Sequence, residues 1–159
     1  MEFQVKHIEE IKLNGWTSKF DGIDMADFDT MKEISRRKSE HFRNLAQTEA
    51  FASKIKASKD GFGYAIGQNQ ADGFYYFAGV NSAVDAPDHF TIAESDYIVV
   101  TAKGGPSREL FDQLAALIFG KILPENKDKF AWEDVYLVEV LKNNNPMNAE
   151  VEVWFPIIL

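Results

Sequence analysis

The closing stretch AEVEVWFPII, residues 149–158, decides how the rest of the chain is read. Val151, Val153 and Phe155 fall on one side of a strand and Glu150, Glu152 and Trp154 on the other. That period of two belongs to an antiparallel sheet with one covered face. A tryptophan flanked by carboxylates on the less covered side makes Glu152 and Trp154 candidates for the edge of a site. The plainer alternative is an exposed tryptophan partly covered by a loop.

Upstream, the turn-rich NNNPMN (143–148) joins this strand to DVYLVEVL (134–141), which completes a hairpin. Before the hairpin, Leu110, Leu114, Leu117 and Ile118 form a helical stripe that Gly120 is expected to close. Gly104-Gly105-Pro106 opens that helix, and DYIVVTA (96–102) is a strand leading into it.

The first half repeats this order. Residues 2–13 are expected to form a strand that continues unevenly to Phe20. Phe28, Met31, Ile34, Phe42, Leu45 and Ile55 then recur at helical spacing, predicting a helix from about 28 to 56. DGFG (60–63) ends it, and FGYAIG (62–67) and GFYYFAGV (73–80) read as a hairpin around Asp72-Gly73. A loop with Pro87 separates the halves. Two βαββ units, about 1–82 and 90–159, predict one α+β domain over 1–159, with two helices on one face of an antiparallel sheet. The order of elements supports the repeat; sequence identity does not.

Composition narrows the function classes. The chain has 159 residues, enough to bury a core without disulfides or metals. It has no cysteine, which excludes disulfides, thiolate metal sites and cysteine nucleophiles. Net charge is −8, with 11 basic against 12 acidic residues in 1–82 and 6 against 13 in 83–159. Such a surface repels a phosphate backbone, so direct nucleic-acid binding is not expected. Aromatic residues reach 13%, more than a core of this size needs. The N-terminus MEFQVKHIEE has no signal-peptide pattern and no window has the length of a membrane span, so no membrane association and a cytoplasmic location are expected.

Four stretches together resemble the GyrI-like small-molecule-binding domain, the effector-binding domain of bacterial transcription activators. They are GFYYFAGVNS (73–82), FTIAESDYIVVTAKGG (90–105), ILPENKDKF (122–130) and EVEVWFPII (150–158), in the family's order. The resemblance implies a pseudo-twofold pair of βαββ units with a ligand pocket where they meet. It also implies binding of amphipathic, cationic or planar aromatic organic compounds between aromatic side chains, frequently beside a buried glutamate. Glu139 in VYLVEVL fits that glutamate, although Val138 and Leu141 stand where aromatics are common in the family; Glu152 is the second candidate.

The residues themselves bear on this. A carboxylate in an apolar strand is costly unless paired, so Glu139 either neutralises a cation or faces water at a sheet edge. Aromatic faces attract cations and stack on planar ligands. Tyr64, Tyr76, Tyr97 and Trp154 are the candidate pocket walls, while most other rings are expected to be core. No cofactor is implied. A protein partner is possible, as is inhibition of a DNA-acting enzyme through the acidic second half. Some members of the resembled family hydrolyse cyclopropane-containing genotoxins; on that alternative Glu139 would act with Tyr64 or Tyr97.

Other motifs carry less. His7, His41 and His89 lack metal-ligand spacing. GFGYAIG lacks the third glycine of a dinucleotide loop, GGPSREL is a helix start and not a phosphate loop, and no Gly-x-Ser-x-Gly occurs. Arg36-Arg37-Lys38 is expected on the solvated face of the first helix, with contact to a partner protein as the alternative.

Overall fold

A computed structural model describes residues 3–20, 28–46, 58–82, 86–132, 136–143 and 145–159. The elements are β1 (Gln4–Ile8), β2 (Ile11–Phe20), α1 (Phe28–Ala46), β3 (Gly63–Gln70), β4 (Gly73–Val80), β5 (Asp88–Ile92), β6 (Ser95–Gly105), α2 (Ser107–Leu117), a π-helical turn (Ile118–Ile122), the short α3 (Leu123–Glu125), β7 (Leu137–Leu141) and β8 (Ala149–Ile157). All eight strands join one antiparallel sheet in the order β1-β6-β8-β7-β3-β4-β2-β5.

That order is symmetric. Exchanging β1 with β5, β2 with β6, β3 with β7 and β4 with β8 reproduces it in reverse, so a pseudo-twofold axis passes between β3 and β7. Among the described residues each half therefore reads ββαββ, one strand longer than the βαββ unit expected from the sequence. The additional strands, β1 and β5, each lie on the outside of the opposite half, against β6 and β2. Residues 88–92, placed in the loop after Pro87 by the periodicity, are strand β5.

Chain connectivity also forces the sheet to curl. β1 and β2 stand six places apart in the strand order but are joined by Glu9 and Glu10 alone. A flat sheet would separate them by about 29 Å, whereas three Cα steps reach about 11 Å. The β5–β6 link, Ala93 and Glu94, imposes the same closure. The sheet must wrap until its ends meet, and this gives it an inner and an outer face.

The registers sort residues between those faces. One row across the sheet runs Val100, Val153, Glu139, Ala65, Ala78 and Trp16. The adjacent row runs Val99, Trp154, Val138, Ile66, Phe77 and Thr17 on the opposite face. Inside the curl, Leu13, Tyr64, Ile66, Phe77, Tyr97, Val99, Val138, Val140 and Trp154 form a core drawn from both halves. Outside it, α2 packs Phe111 and Leu114 against Ile98, Val151, Val153 and Phe155. α1 packs Ile34 and the half-buried Phe42 against Phe20, Phe74 and Tyr76.

Two glycines permit the tight curvature of the first half. Gly15 and Gly79 face each other across β2 and β4. A Cβ on Gly15 would lie 2.0 Å from the Ala78 carbonyl oxygen, and one on Gly79 would lie 2.4 Å from the Asn14 carbonyl oxygen. The backbones approach too closely for any side chain.

The first helix is described to Ala46, and residues 47–56 of the expected helix lie outside the described residues. Gly120 does not end the second helix: it sits within the π turn, and helical backbone continues to Glu125. Among the described residues no helix is long and apolar enough to cross a membrane.

Candidate functional site

The six candidate ligand residues divide between the two faces. Tyr64, Tyr97, Glu152 and Trp154 point into the curl, and Tyr76 and Glu139 point outward beneath the helices. The division follows from strand alternation, because Tyr64 and Trp154 lie in odd rows relative to the pair Ala65–Glu139.

Inside, Trp154 lies between the two tyrosines. Its ring centroid is 6.0 Å from that of Tyr64 at 68° and 6.3 Å from that of Tyr97 at 58°. The polar atoms of this group have internal partners. The Trp154 indole N–H donates to Glu152 at 2.9 Å, and the Lys142 ammonium donates to the same carboxylate at 3.2 Å. Tyr64 donates to Asp60 at 2.6 Å. Tyr97 donates to the Ala93 carbonyl at 2.6 Å and meets the Tyr136 hydroxyl at 2.6 Å. Burial raises both phenols above their ordinary pKa, and these hydrogen bonds add to the shift. Trp154 retains 7% of its surface, so the side of β8 read as less covered is closed by the curl. A depression of about 160 Å³ opens at the β2–β5 end of this face, lined in part by Gln68, Gln70, Tyr75, Phe77 and Phe90. His89 also lines it, and none of its lining residues is Asp, Glu, Lys or Arg.

Outside, on the pseudo-twofold axis, Glu139 is 1% exposed and stands as the one carboxylate in an otherwise apolar row. Ala65 and Ala78 beside it leave space that larger groups fill from both helices. From α2, Arg108 donates to both Glu139 oxygens, at 3.1 and 2.5 Å. From α1, the Lys38 ammonium lies 3.3 Å from Glu139 Oε2. From β4, Tyr76 donates to Oε1 at 2.6 Å. Burial by itself would raise the Glu139 carboxyl, but the Arg108 and Lys38 charges and the Arg108 and Tyr76 hydrogen bonds outweigh it, holding the pKa at about 2. Burial lowers Lys38, against the attraction of Glu139.

Aromatic rings complete the setting of the ammonium. Lys38 Nζ lies 5.1 Å from the centre of the Tyr76 ring and 5.6 Å from that of Phe74, within cation–π range. His41 closes one side, its Nε2 at 3.1 Å from the Trp16 carbonyl and its ring edge-on to Tyr76 at 5.9 Å. Burial lowers the His41 pKa, favouring the neutral ring. The helices also touch directly, Ser35 Oγ donating to Asp112 at 2.7 Å, and Asp112 in turn accepts from Arg108 at 2.9 Å. Two cations, Lys38 and Arg108, thus face two carboxylates, Glu139 and Asp112.

Three members of this cluster, Lys38, Arg108 and Asp112, are not among the candidates read from the sequence. Lys38 is 7% exposed and not on the solvated face of α1. The signal was its position four residues after Ile34 and four before Phe42, inside the apolar stripe. Arg108, three residues before the buried Phe111, was read simply as part of a helix start. The hydrolytic alternative places Glu139 on the opposite face of the sheet from Tyr64 and Tyr97. Among the described residues there is no cluster of three or more His, Asp or Glu placed to hold a metal ion.

No family model and no curated protein matches the chain by sequence. Solved structures do match it in fold. SAV2435 bound to tetraphenylphosphonium superposes with a TM-score of 0.78 at 15% identity, covering 99% of this chain and 94% of that one. The chain shares the fold of that structure, consistent with the resemblance to the GyrI-like domain. A candidate bacterial transcription regulation protein from Staphylococcus aureus MU50 matches with a TM-score of 0.77 at 15% identity, over 100% and 99% of the two chains. The C-terminal domain of EcmrR matches with 0.53 at 11% identity, over 98% and 96%. At these identities the likeness extends to the fold.

Proposed function

We propose that this protein is a small-molecule-binding module for amphipathic organic cations, and that the ligand's charge is received by Glu139 on the axis between α1 and α2. The observation that carries this reading is the Lys38 ammonium, seated between a buried carboxylate and the faces of Tyr76 and Phe74. A carboxylate within ion-pair distance and two ring faces within about 6 Å form a site that recognises a cation. Its location between the halves agrees with the pocket implied by the resemblance. The binding of tetraphenylphosphonium by SAV2435, a protein of the same fold, adds support.

Among the candidate residues, the proposal assigns ligand contact to Glu139 and Tyr76. Tyr64, Tyr97, Trp154 and Glu152 line the inside of the curl, where they contact one another and nearby chain. They form the packed interior of the curl behind the site.

A thermal-shift titration tests the proposal, comparing tetraphenylphosphonium with the neutral triphenylphosphine oxide. A ligand that binds the native state raises the melting temperature by mass action. The cation is expected to do so at lower concentration than the oxide. Equal effects, or none, would refute charge recognition.

A further inference from the structure

Glu139 is not waiting for a cation, because one is already present. Lys38 Nζ occupies the position in which a ligand's charge would be recognised, 3.3 Å from the carboxylate and over two aromatic rings. Arg108 does not compete for that role, since it bridges Glu139 and Asp112 from the α2 side and lies over the Phe111 ring instead. Withdrawing Lys38 removes one positive charge from beside the buried Glu139, and a monocation replaces that charge one for one.

We infer that Lys38 is a built-in competitor for the cation site and a specificity-determining residue, so that an organic monocation binds by displacing the Lys38 side chain from Glu139. This rests on the proposed function and deepens it, because the resident lysine fixes both the ligand's charge and what must move. Lysine suits the role: its ammonium is a compact point charge on a flexible stem, and it can leave the site and be solvated without unfolding its helix. A dication would place one charge more, and a neutral compound one charge fewer, beside Glu139 than Lys38 does. Arg36 and Arg37 do not substitute, being held by Glu33 and Glu40 on the outer face of α1.

A site closed by its own residue binds ligand more weakly by the fraction of molecules in which it is open. Calorimetric titration of tetraphenylphosphonium into the wild type and Lys38→Met, which keeps the stem and removes the charge, is the first test. The variant is expected to bind about tenfold tighter or more. Unchanged or weaker binding, or no binding by either protein, would overturn the inference.

A second measurement needs no variant. The wild type is treated with an amine-acylating reagent with and without saturating tetraphenylphosphonium, and modification is read by mass spectrometry. Lys38 is expected to be protected in the free protein and modified in the complex. Protection in both states overturns the displacement, even where the ligand binds. The two claims separate cleanly: binding by the wild type that Glu139→Gln abolishes, with Lys38 protected throughout, retains the proposed function and removes this inference.

Discussion

Lys38 and Glu139 lie 101 positions apart in the chain, yet their charged groups meet at 3.3 Å, both side chains buried beneath the helices. The pair ties α1 of the first half to β7 of the second at the axis on which the halves meet. Arg108 ties α2 to the same carboxylate. One side chain therefore holds both helices.

Replacing Glu139 tests that role in the absence of ligand. Glu139→Gln keeps the volume but leaves the buried Lys38 and the part-buried Arg108 facing a neutral amide. Breaking a buried ion pair from one side costs about 3–5 kcal/mol. Urea denaturation at neutral pH is expected to show a loss of that order. A loss below about 1 kcal/mol would indicate that the helices dock without the cluster.

The same carboxyl predicts a dependence on pH. Its pKa is about 2 in the folded protein against 4.5 ordinarily, so the unfolded chain binds the proton more readily. The stabilisation is complete above pH 4.5 and is lost as pH falls from there toward about 2. Exposed Glu33, held down by hydrogen bonds from Arg36 and Arg37, titrates in the same direction. The Glu139 part is the difference between the wild type and Glu139→Gln, which is expected to shrink through this interval and stay constant from pH 5 to 7.

Trp154 tests the interior of the curl. Trp154→Ala removes a ring packed against Tyr64 and Tyr97 and leaves Glu152 without its indole donor, at an expected cost of about 3–5 kcal/mol. Trp154→Phe keeps most of the packing and is expected to cost about 1–3 kcal/mol through the lost hydrogen bond. Equal losses in denaturant midpoints would mean that the hydrogen bond, and not the ring, holds this position.

Gly79 tests the curvature. A methyl group there would meet backbone at 2.4 Å, so Gly79→Ala is expected to destabilise by about 3 kcal/mol or more. A neutral effect would show that β2 and β4 separate freely.

Much of this could be read from the residues, and the remainder has identifiable reasons for being hidden. The hairpins were legible because alternation and Asp72-Gly73 are local signals, and β3–β4 forms where they place it. The oddity of Glu139 was legible as well, a carboxylate in the run Leu137–Leu141. The exchange of β1 and β5 between halves was not, because both are five-residue strands whose partners lie far away in sequence. Nor was the division of the aromatic candidates. The run Phe74–Phe77 presents rings to both faces, so its composition gives no phase, and only the register places Tyr76 outside and Phe77 inside. Lys38 was misplaced because its charge was given more weight than its position in the stripe.

Locating a bound cation distinguishes the helix side of the sheet from the inside of the curl. Tetraphenylarsonium has the shape and charge of the phosphonium, and its arsenic marks itself by anomalous scattering in a crystal of the complex. The arsenic peak is expected on the helix side of the sheet, beside the Glu139 carboxylate and the Tyr76 ring, with the Lys38 ammonium withdrawn. A peak inside the curl, between Tyr64, Trp154 and Tyr97, or in the depression at the β2–β5 end, would contradict that placement.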